Sequence, residues 1–361
     1  MADSLVTAGE SKFFCPMVKA FGYGHDDVAV SKTLVDEGVS CLGVALFEEG
    51  FRLREAGLSK IDILVFHPII SSECVEMAAE QNLIPVLSSW REISFIEKAK
   101  RKPLAVHIKF NTGMNRLGFE ISEAEKLKAY FEANSAVKLT GVCTHFHSAE
   151  DLPKVGGHTR KQIALFGALA KAFSSESIVC HAHNSSALVS AFSTQTNAPF
   201  GARPGLAIYG VKPEVTHLTP AQKEIYNQID LKPVMKVTSQ IVHQHELKRG
   251  ESVSYGARFV AEINSTVGVV PIGYADGYPR HLSSRGAMLY DGRPAPVSGT
   301  VCMDFTMINL TLLKAPDSGW VGQNIVILGD SISAGDLARL AGTNSYEILT
   351  NFSRRVPRVM V

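Results

Sequence analysis

From Phe13 to about Tyr209 the chain alternates short apolar runs with longer amphipathic stretches. The runs are Phe13–Lys19, Ser40–Leu46, Ile61–Phe66, Leu83–Leu87, Leu104–Phe110, Leu139–Phe146, Ile178–His183 and Leu206–Gly210. Each holds about five to eight residues with little internal alternation, the pattern of a strand buried on both faces. Between them Asp26–Glu37, Glu48–Ala56, Trp90–Lys100, Glu123–Ala133 and Thr159–Phe173 carry charge along one face and predict helices. Eight strand–helix repeats in roughly 200 residues predict an α/β fold, a (β/α)8 TIM barrel. A doubly wound open sheet is the competing topology, and no G-x-G-x-x-G follows the first strand to favour it.

After Pro213 the pattern changes. Met235–His245 alternates and is rich in β-branched residues, followed by Ser252–Tyr255, Thr266–Pro271, Ala287–Tyr290, Pro296–Met303, Met307–Leu310 and Asn324–Leu328. Arg249-Gly250, Asp276-Gly277 and Asp291-Gly292 mark turns, and the last predicts a hairpin. Ser333–Leu340 and Tyr346–Thr350 read as helices. The expected division is a barrel over residues 1–225 and a C-terminal mostly-β domain over 226–361.

Composition narrows the class. The chain has 361 residues, 36 Lys+Arg against 35 Asp+Glu and 45% hydrophobic residues. That profile suits a globular protein and excludes disorder, collagen-like repeats and coiled coil. A net charge of +1 argues against a nucleic-acid or polybasic membrane surface. No apolar stretch approaches the roughly 18–20 residues of a membrane helix. Met1–Lys12 carries Asp3, Glu10 and Lys12 without an apolar core, so it does not read as a signal peptide. The six cysteines are scattered, mostly in apolar runs, with no C-x-x-C pair. Buried free thiols in a cytoplasmic protein are expected.

In a barrel, chemistry sits at the C-terminal ends of the strands. The first predicted strand ends on Lys19, followed by Ala20-Phe21-Gly22-Tyr23-Gly24-His25. A desolvated lysine has a lowered pKa and forms Schiff bases, although the position alone also suits a lysine snorkelling to solvent. After the fifth strand come His107, Lys109 and, on the following loop, Arg116; with period 2, His107 and Lys109 share a face. His145/His147 and His181/His183 have H-x-H spacing, which puts each pair on one strand face and suits a metal. A metal-dependent hydrolase is therefore a competitor, weakened because no Asp or Glu ends the seventh or eighth strand. A further pair, His243/His245, lies in the β-rich domain. Before the predicted eighth strand stands Arg203-Pro204-Gly205. Amides of Gly205 and Leu206, with the hydroxyls of Ser185 and Tyr23, could meet a phosphate where such barrels usually bind one. A Schiff-base lysine, a phosphate cup and a positioning arginine together describe a pyridoxal 5'-phosphate site.

These segments, in this order, resemble the alanine racemase family. Met17 to Ala20 and on to His25 is similar to the family's V-V-K-A-N-A-Y-G-H-G. Seven further motifs follow: Thr112-Gly113-Met114 through Arg116-Leu117-Gly118, Asn184-Ser185, Arg203-Pro204-Gly205, Val253-Ser254-Tyr255-Gly256, Gly273-Tyr274-Ala275-Asp276-Gly277, Cys302-Met303-Asp304 and Arg355-Val356-Pro357-Arg358. The resemblance implies a homodimer with shared active sites and pyridoxal phosphate as cofactor, interconverting L- and D-alanine for the bacterial cell wall. It implies that Lys19 holds the cofactor and acts as one acid/base group, with Tyr255 of the partner subunit as the other. Opposed groups suit racemisation, which needs a base on one face of the α-carbon and an acid on the other. By the same resemblance Arg203 contacts the pyridine nitrogen, Arg116 the phenolic oxygen, and His145 packs near the ring. Tyr23, Asn184, Ser185, Gly205 and Leu206 belong to the cofactor site. Arg116, Met303 through its backbone and Tyr274 belong to the substrate site, and Lys109 is a candidate for carbamylation.

The chain departs from that pattern at Phe21 and Gly22, where Asn-Ala is usual, and at Asn111, where Asp is usual. Arg354 stands where some members place a tyrosine, and Thr300 where some have an arginine in the substrate corridor; Glu150 and Arg280 keep that corridor's charged character. Only Met1–Lys12 precede the lysine strand, where members usually carry a further strand and helix. The competing expectations are a serine or broad-specificity racemase, a pyridoxal-phosphate decarboxylase of basic amino acids, and a non-catalytic pyridoxal-phosphate binding protein.

Overall fold

The structure, a computed structural model, describes residues 13–103, 105–134, 137–196, 199–329, 331–352 and 354–361. Met1–Lys12 and Leu104 lie outside the described residues. The chain divides into two compact units. The first runs to Leu231 except for Tyr23–His25 and Tyr209–Val211, which group with Lys232–Val361 in the second.

The first unit is built on a parallel sheet of β1 (Cys41–Val44), β2 (Asp62–Val65), β3 (Ile84–Leu87), β4 (Ala105–Lys109), β5 (Lys138–Cys143), β6 (Val179–His183) and β7 (Gly201–Ala202), in that spatial order. Two isolated parallel bridges close it into a ring: Phe14 with Ala202 and Met17 with Gly43. The Cys15 N–H donates to the Ala202 carbonyl at 2.8 Å and the Val18 N–H to the Gly43 carbonyl at 2.9 Å. The first expected strand is thus present as bridges and not as a regular strand. Pro16, which has no N–H to donate, interrupts its ladder.

The eighth expected strand, Leu206–Gly210, is a correction. The last barrel strand is Gly201–Ala202, and Leu206–Tyr209 is a 3₁₀ turn. Leu206 and Tyr209 are apolar because they are buried, not because they are extended. Gly201 permits the close approach to the first segment, since a Cβ there would stand 2.9 Å from Cβ of Phe13. Arg203 therefore follows a barrel strand directly.

Side chains alternate in and out along the strands. Cys15, Cys41, Leu64, Val86 and Cys143 form one buried cluster. Their neighbours Leu42, Ile63, Val65, Leu87, Val142 and Ala182 pack with the residues of the surrounding helices. The expected helices occur as Asp27–Asp36, Phe47–Glu55, Trp90–Lys98, Ala124–Ala133 and His158–Ala172. Ser72–Glu80, Ser185–Thr194 and Pro220–Gln228 are additional. Ser185–Thr194 is buried nearly all round, so it lacks the polar stripe by which a surface helix is read.

The second unit holds β8 (Val237–Gln240), β9 (His243–Leu247), β10 (Ser252–Val253), β11 (Phe259–Val260), β12 (Ser265–Val270), β13 (Ala287–Tyr290), β14 (Arg293–Pro296), β15 (Thr306–Asn309) and β16 (Asn324–Leu328). They form antiparallel sheets ordered β14-β13-β16-β8, β15-β12-β9 and β10-β11. Met235–His245, expected as one run, breaks at Ile241-Val242 and contributes to two sheets. Of the expected strand Pro296–Met303, Pro296 ends β14, Val297 bridges to Ile308, and the rest is not a strand. The hairpin at Asp291-Gly292 is present. Tyr290 pairs with Arg293, and both turn residues have positive φ, 46° and 72°, as a two-residue turn of this kind requires. Helices Ala334–Ala341 and Ser345–Asn351 follow. Among the described residues no helix is long and apolar enough to cross a membrane.

Candidate active site

Lys19 leaves the barrel two residues after the Met17 bridge. Burial is the largest influence on its amine and favours the neutral form. The guanidinium charges of Arg116 and Arg203 act in the same direction, and Glu49 opposes them. The result is an amine pushed below its ordinary pKa, the state a nucleophilic lysine needs.

Arg203 is buried inside the barrel. Its Nη1 donates to Nδ1 of His181 at 2.6 Å, and its Nη2 donates to the Thr144 carbonyl at 2.6 Å. Nε2 of His181 lies 2.8 Å from Nδ1 of His107. Gly141, paired with His107 across β4 and β5, makes room for that ring, since a Cβ there would stand 2.4 Å from it. Burial pushes the His107 imidazole down to about 3, and the Arg203 charge adds to this. His181 is pushed well down for the same two reasons.

The H-x-H pairs serve other contacts. His183 bonds through Nδ1 to the Phe200 carbonyl at 2.9 Å, while its strand neighbour His181 faces Arg203. His145 and His147 do not share a strand face, because β5 ends at Cys143. His145 is held well below the ordinary imidazole range by burial and by Arg203, Lys109, Arg116 and Lys19, whereas His147 is exposed beside Ser148. Lys109 is also pushed down, first by burial, and it feels Arg116, Arg203 and Lys19. Lys19, Lys109, Arg116 and Arg203 therefore form a cluster of basic groups that all act on His145. Such a cluster is built to receive an anion.

A second feature supplies a place for one. Asn184 caps helix Ser185–Thr194, accepting the Ala187 N–H at 2.9 Å and donating to the Phe146 carbonyl at 3.1 Å. Ser185 Oγ accepts the N–H groups of Gly205 at 2.9 Å and Ala207 at 3.2 Å, which leaves its own hydroxyl proton to donate. The Leu206 N–H has no partner among the described residues. A hydroxyl, an open amide and a helix N-terminus together suit a phosphate.

In the second unit Tyr255 is 74% exposed, and Tyr274 and Met303 are also exposed. The Thr300 hydroxyl donates to the Tyr255 carbonyl at 2.9 Å. The Ala275 N–H donates to the Met303 carbonyl at 3.0 Å, while the Met303 N–H has no partner among the described residues. Tyr23, grouped with this unit, is buried with its ring stacked on Tyr209 at 4.9 Å.

Several residues around the site escape sequence reasoning. Gln162 donates to the Thr112 hydroxyl at 3.2 Å and the His145 carbonyl at 3.1 Å, and accepts the His147 N–H at 3.1 Å. Thr144, Gly141 and Glu49 are the others. Each acts through a contact distant in sequence, so no local motif announces it.

Family models described as "Alanine racemase, N-terminal domain" and "Alanine racemase, C-terminal domain" match residues 4–213 and 234–360. The alanine racemase of Halothermothrix orenii is 37% identical over 355 residues, 95% of this chain and 88% of that protein. The solved structure of alanine racemase from E. faecalis is similar with a TM-score of 0.85 at 29% identity, covering 99% of this chain and 94% of that one. That of the Bartonella henselae alanine racemase with covalently bound pyridoxal phosphate is similar with a TM-score of 0.83 at 26% identity, covering 100% and 96%.

Proposed function

The chain belongs to the alanine racemase family of pyridoxal-phosphate-dependent isomerases, and from that premise we propose a two-base exchange of the α-proton of alanine between Lys19 and Tyr255 of the partner subunit. The observation that carries the reading is the Lys19 amine, half-buried at the end of the first barrel segment and pushed toward its neutral form by burial and by the charges of Arg116 and Arg203.

The residues present fit pyridoxal 5'-phosphate. Lys19 offers an amine whose pKa burial lowers, for covalent attachment. Ser185, Leu206 and the start of helix Ser185–Thr194 offer the phosphate site, with Gly205 bracing Ser185. Arg203 uses Nη1 and Nη2 for His181 and Thr144 and keeps further N–H donors for a ring nitrogen. Bound there, the cofactor supplies the electron sink that makes the α-proton of an amino acid mobile.

The chain's own groups do the rest. Lys19, its pKa lowered first by burial, takes or returns a proton at Nζ from one side of the α-carbon. The Tyr255 phenol does so from the other, which racemisation requires. Arg203, a guanidinium cation, would keep a cofactor ring nitrogen placed beside it unprotonated, which would restrain competing reactions. Arg116 supplies a second cationic donor near Lys19, Lys109 and His145. Lys109, lowered in pKa, suits carbamylation, whose negative charge would orient Arg116. The exposed Tyr255, Tyr274 and Met303 fit a homodimer in which each protomer completes its partner's site, with the Met303 N–H and Tyr274 placed for substrate. The working division is a barrel to about residue 225 and a β-rich domain after it. D-alanine for peptidoglycan, made in the cytoplasm, is the fitting role.

The deciding experiment is an absorbance spectrum of the purified protein with a racemisation assay on L-alanine, L-serine and L-lysine. Bound cofactor and preference for alanine are expected. Preference for serine or lysine, or a bound cofactor without α-proton exchange, overturns the reading.

A further inference from the structure

Four consecutive residues after Lys19 have positive φ: Ala20 at 53°, Phe21 at 57°, Gly22 at 60° and Tyr23 at 51°. Only glycine enters that region without steric cost; in the others the Cβ crowds the following carbonyl. Such a backbone persists where its surroundings over-determine it. The Gly22 N–H donates to the Val18 carbonyl at 2.9 Å and the Asp26 N–H to the Phe21 carbonyl at 3.0 Å. The Arg52 guanidinium lies 4.9 Å from the centre of the Phe21 ring and pairs with Asp27 at 3.0 Å. A further tie falls on the Lys19–Ala20 peptide. Glu49 Oε1 accepts the Ala20 N–H at 2.6 Å.

Glu49 is the third residue of helix Phe47–Glu55. A glutamate there ordinarily folds back on the start of its own helix. Its Oε2 does so, accepting the N–H groups of Ala45 at 2.7 Å and Leu46 at 3.0 Å. That capping fixes the side chain and leaves Oε1 aimed at the neighbouring barrel segment. We propose that Glu49 is a positioning residue for Lys19: it locks the Lys19–Ala20 peptide at the start of the left-handed turn and so sets the direction in which the lysine leaves the barrel rim. This rests on the reading of Lys19 as the residue that holds the cofactor.

Charge supports the geometry. The groups that act on the Lys19 amine or feel its charge are Arg116, Arg203, Lys109, His145 and Glu49. Both arginines favour the neutral amine, and Lys109 and His145 are themselves driven toward neutrality, first by burial. Glu49 is the carboxylate that favours the charged amine. Removing its charge therefore makes Lys19 more acidic.

The test follows uptake of added pyridoxal phosphate by the full-length apoprotein, read by absorbance across pH, in wild type, Glu49→Gln and Glu49→Asp. Uptake at Lys19 needs the neutral amine, so the pH midpoint reports its charge and the high-pH plateau reports its placement. Glu49→Gln is expected to lower the midpoint and to slow the plateau rate on the order of tenfold, as loss of a fixed geometry does. Glu49→Asp keeps the charge on a shorter arm, so the midpoint stays and the plateau slows. A role confined to helix capping would lower the melting temperature and leave both readouts at wild-type values, and that result overturns the proposal. If Glu49→Gln does not fold, the plateau of Glu49→Asp decides. Uptake by Lys19→Ala equal to wild type overturns the reading of Lys19 instead, a different outcome from wild-type behaviour in the Glu49 variants.

Discussion

Arg203 donates from Nη1 to Nδ1 of His181 at 2.6 Å, and this contact decides the protonation of two imidazoles. A guanidinium has no lone pair to accept with, so Nδ1 of His181 must be the bare nitrogen. Burial beside that cation keeps the ring neutral, so its proton sits on Nε2 and is donated to Nδ1 of His107 at 2.8 Å. The barrel interior thus carries a polar line ending on a fixed positive charge. Stability should depend on keeping it neutral.

The sign of that dependence follows from the shifts. His107 is pushed down to about 3 and His183 to about 4, from an ordinary value of 6.5. Below pH 6.5 the unfolded chain binds protons that the folded chain refuses. The stabilisation is complete above pH 6.5 and is lost as pH falls toward 3–4. Melting temperature should hold steady above that point and fall between about pH 6.5 and 5, before most carboxylates titrate. A melting temperature unchanged over that interval would refute the neutral-imidazole account.

Gly141→Ala should destabilise the barrel by roughly 1–3 kcal/mol, the usual cost of overpacking a core. The added Cβ would stand 2.4 Å from the His107 ring, which is tied to His181 at 2.8 Å. Urea denaturation of wild type and variant measures the difference.

Lys19→Ala should abolish racemisation and covalent retention of pyridoxal phosphate together. Tyr255→Phe should retain the cofactor and slow one direction of proton transfer more than the other. Equal loss in both directions, measured by separate L-to-D and D-to-L assays, would count against opposed Lys19 and Tyr255 groups.

Thr300→Val removes the hydroxyl that donates to the Tyr255 carbonyl while keeping the side-chain volume nearly constant. Stability should fall by about 0.5–1.5 kcal/mol, the usual net worth of one hydrogen bond. Turnover should fall with it, because Tyr255 sits in a turn strained by positive φ at Ser254 and Ala257. Steady-state kinetics with a melt on the same sample reads both.

If Tyr255 acts across a dimer interface, activity per protomer should fall on dilution in parallel with the dimer fraction seen by sedimentation. A fully active monomer would remove Tyr255 of the partner subunit from the reaction.

The barrel's repeating grammar was legible because its strands are buried on both faces and its helices on one. Burial on that scale leaves a regular pattern in the chain. The same signal misled at Leu206–Gly210, where apolar residues are buried in a 3₁₀ turn, since hydrophobicity records burial and not backbone conformation. It also missed Ser185–Thr194, which is buried nearly all round. The hairpin at Asp291-Gly292 was plain because two positive-φ residues carry their own chemical signature.

The two-part architecture, the family, and the order of the residues that could carry chemistry are written along the chain. Local pattern and ordered motifs suffice for those, because they depend on neighbours along the chain. Tertiary structure decided what surrounds each group. His181 could have been read as a metal ligand, and it became the partner of Arg203 only when β6 and the end of β7 lay side by side. Glu49 carries no signal of a tie to Ala20 in the sequence, and only the barrel brings the Ala20 N–H within 2.6 Å of it. The acidity of Lys19, Lys109 and His145 depends on desolvation and on charges brought close by strand pairing. Those influences act through space over a few ångströms, and sequence separation carries no record of them.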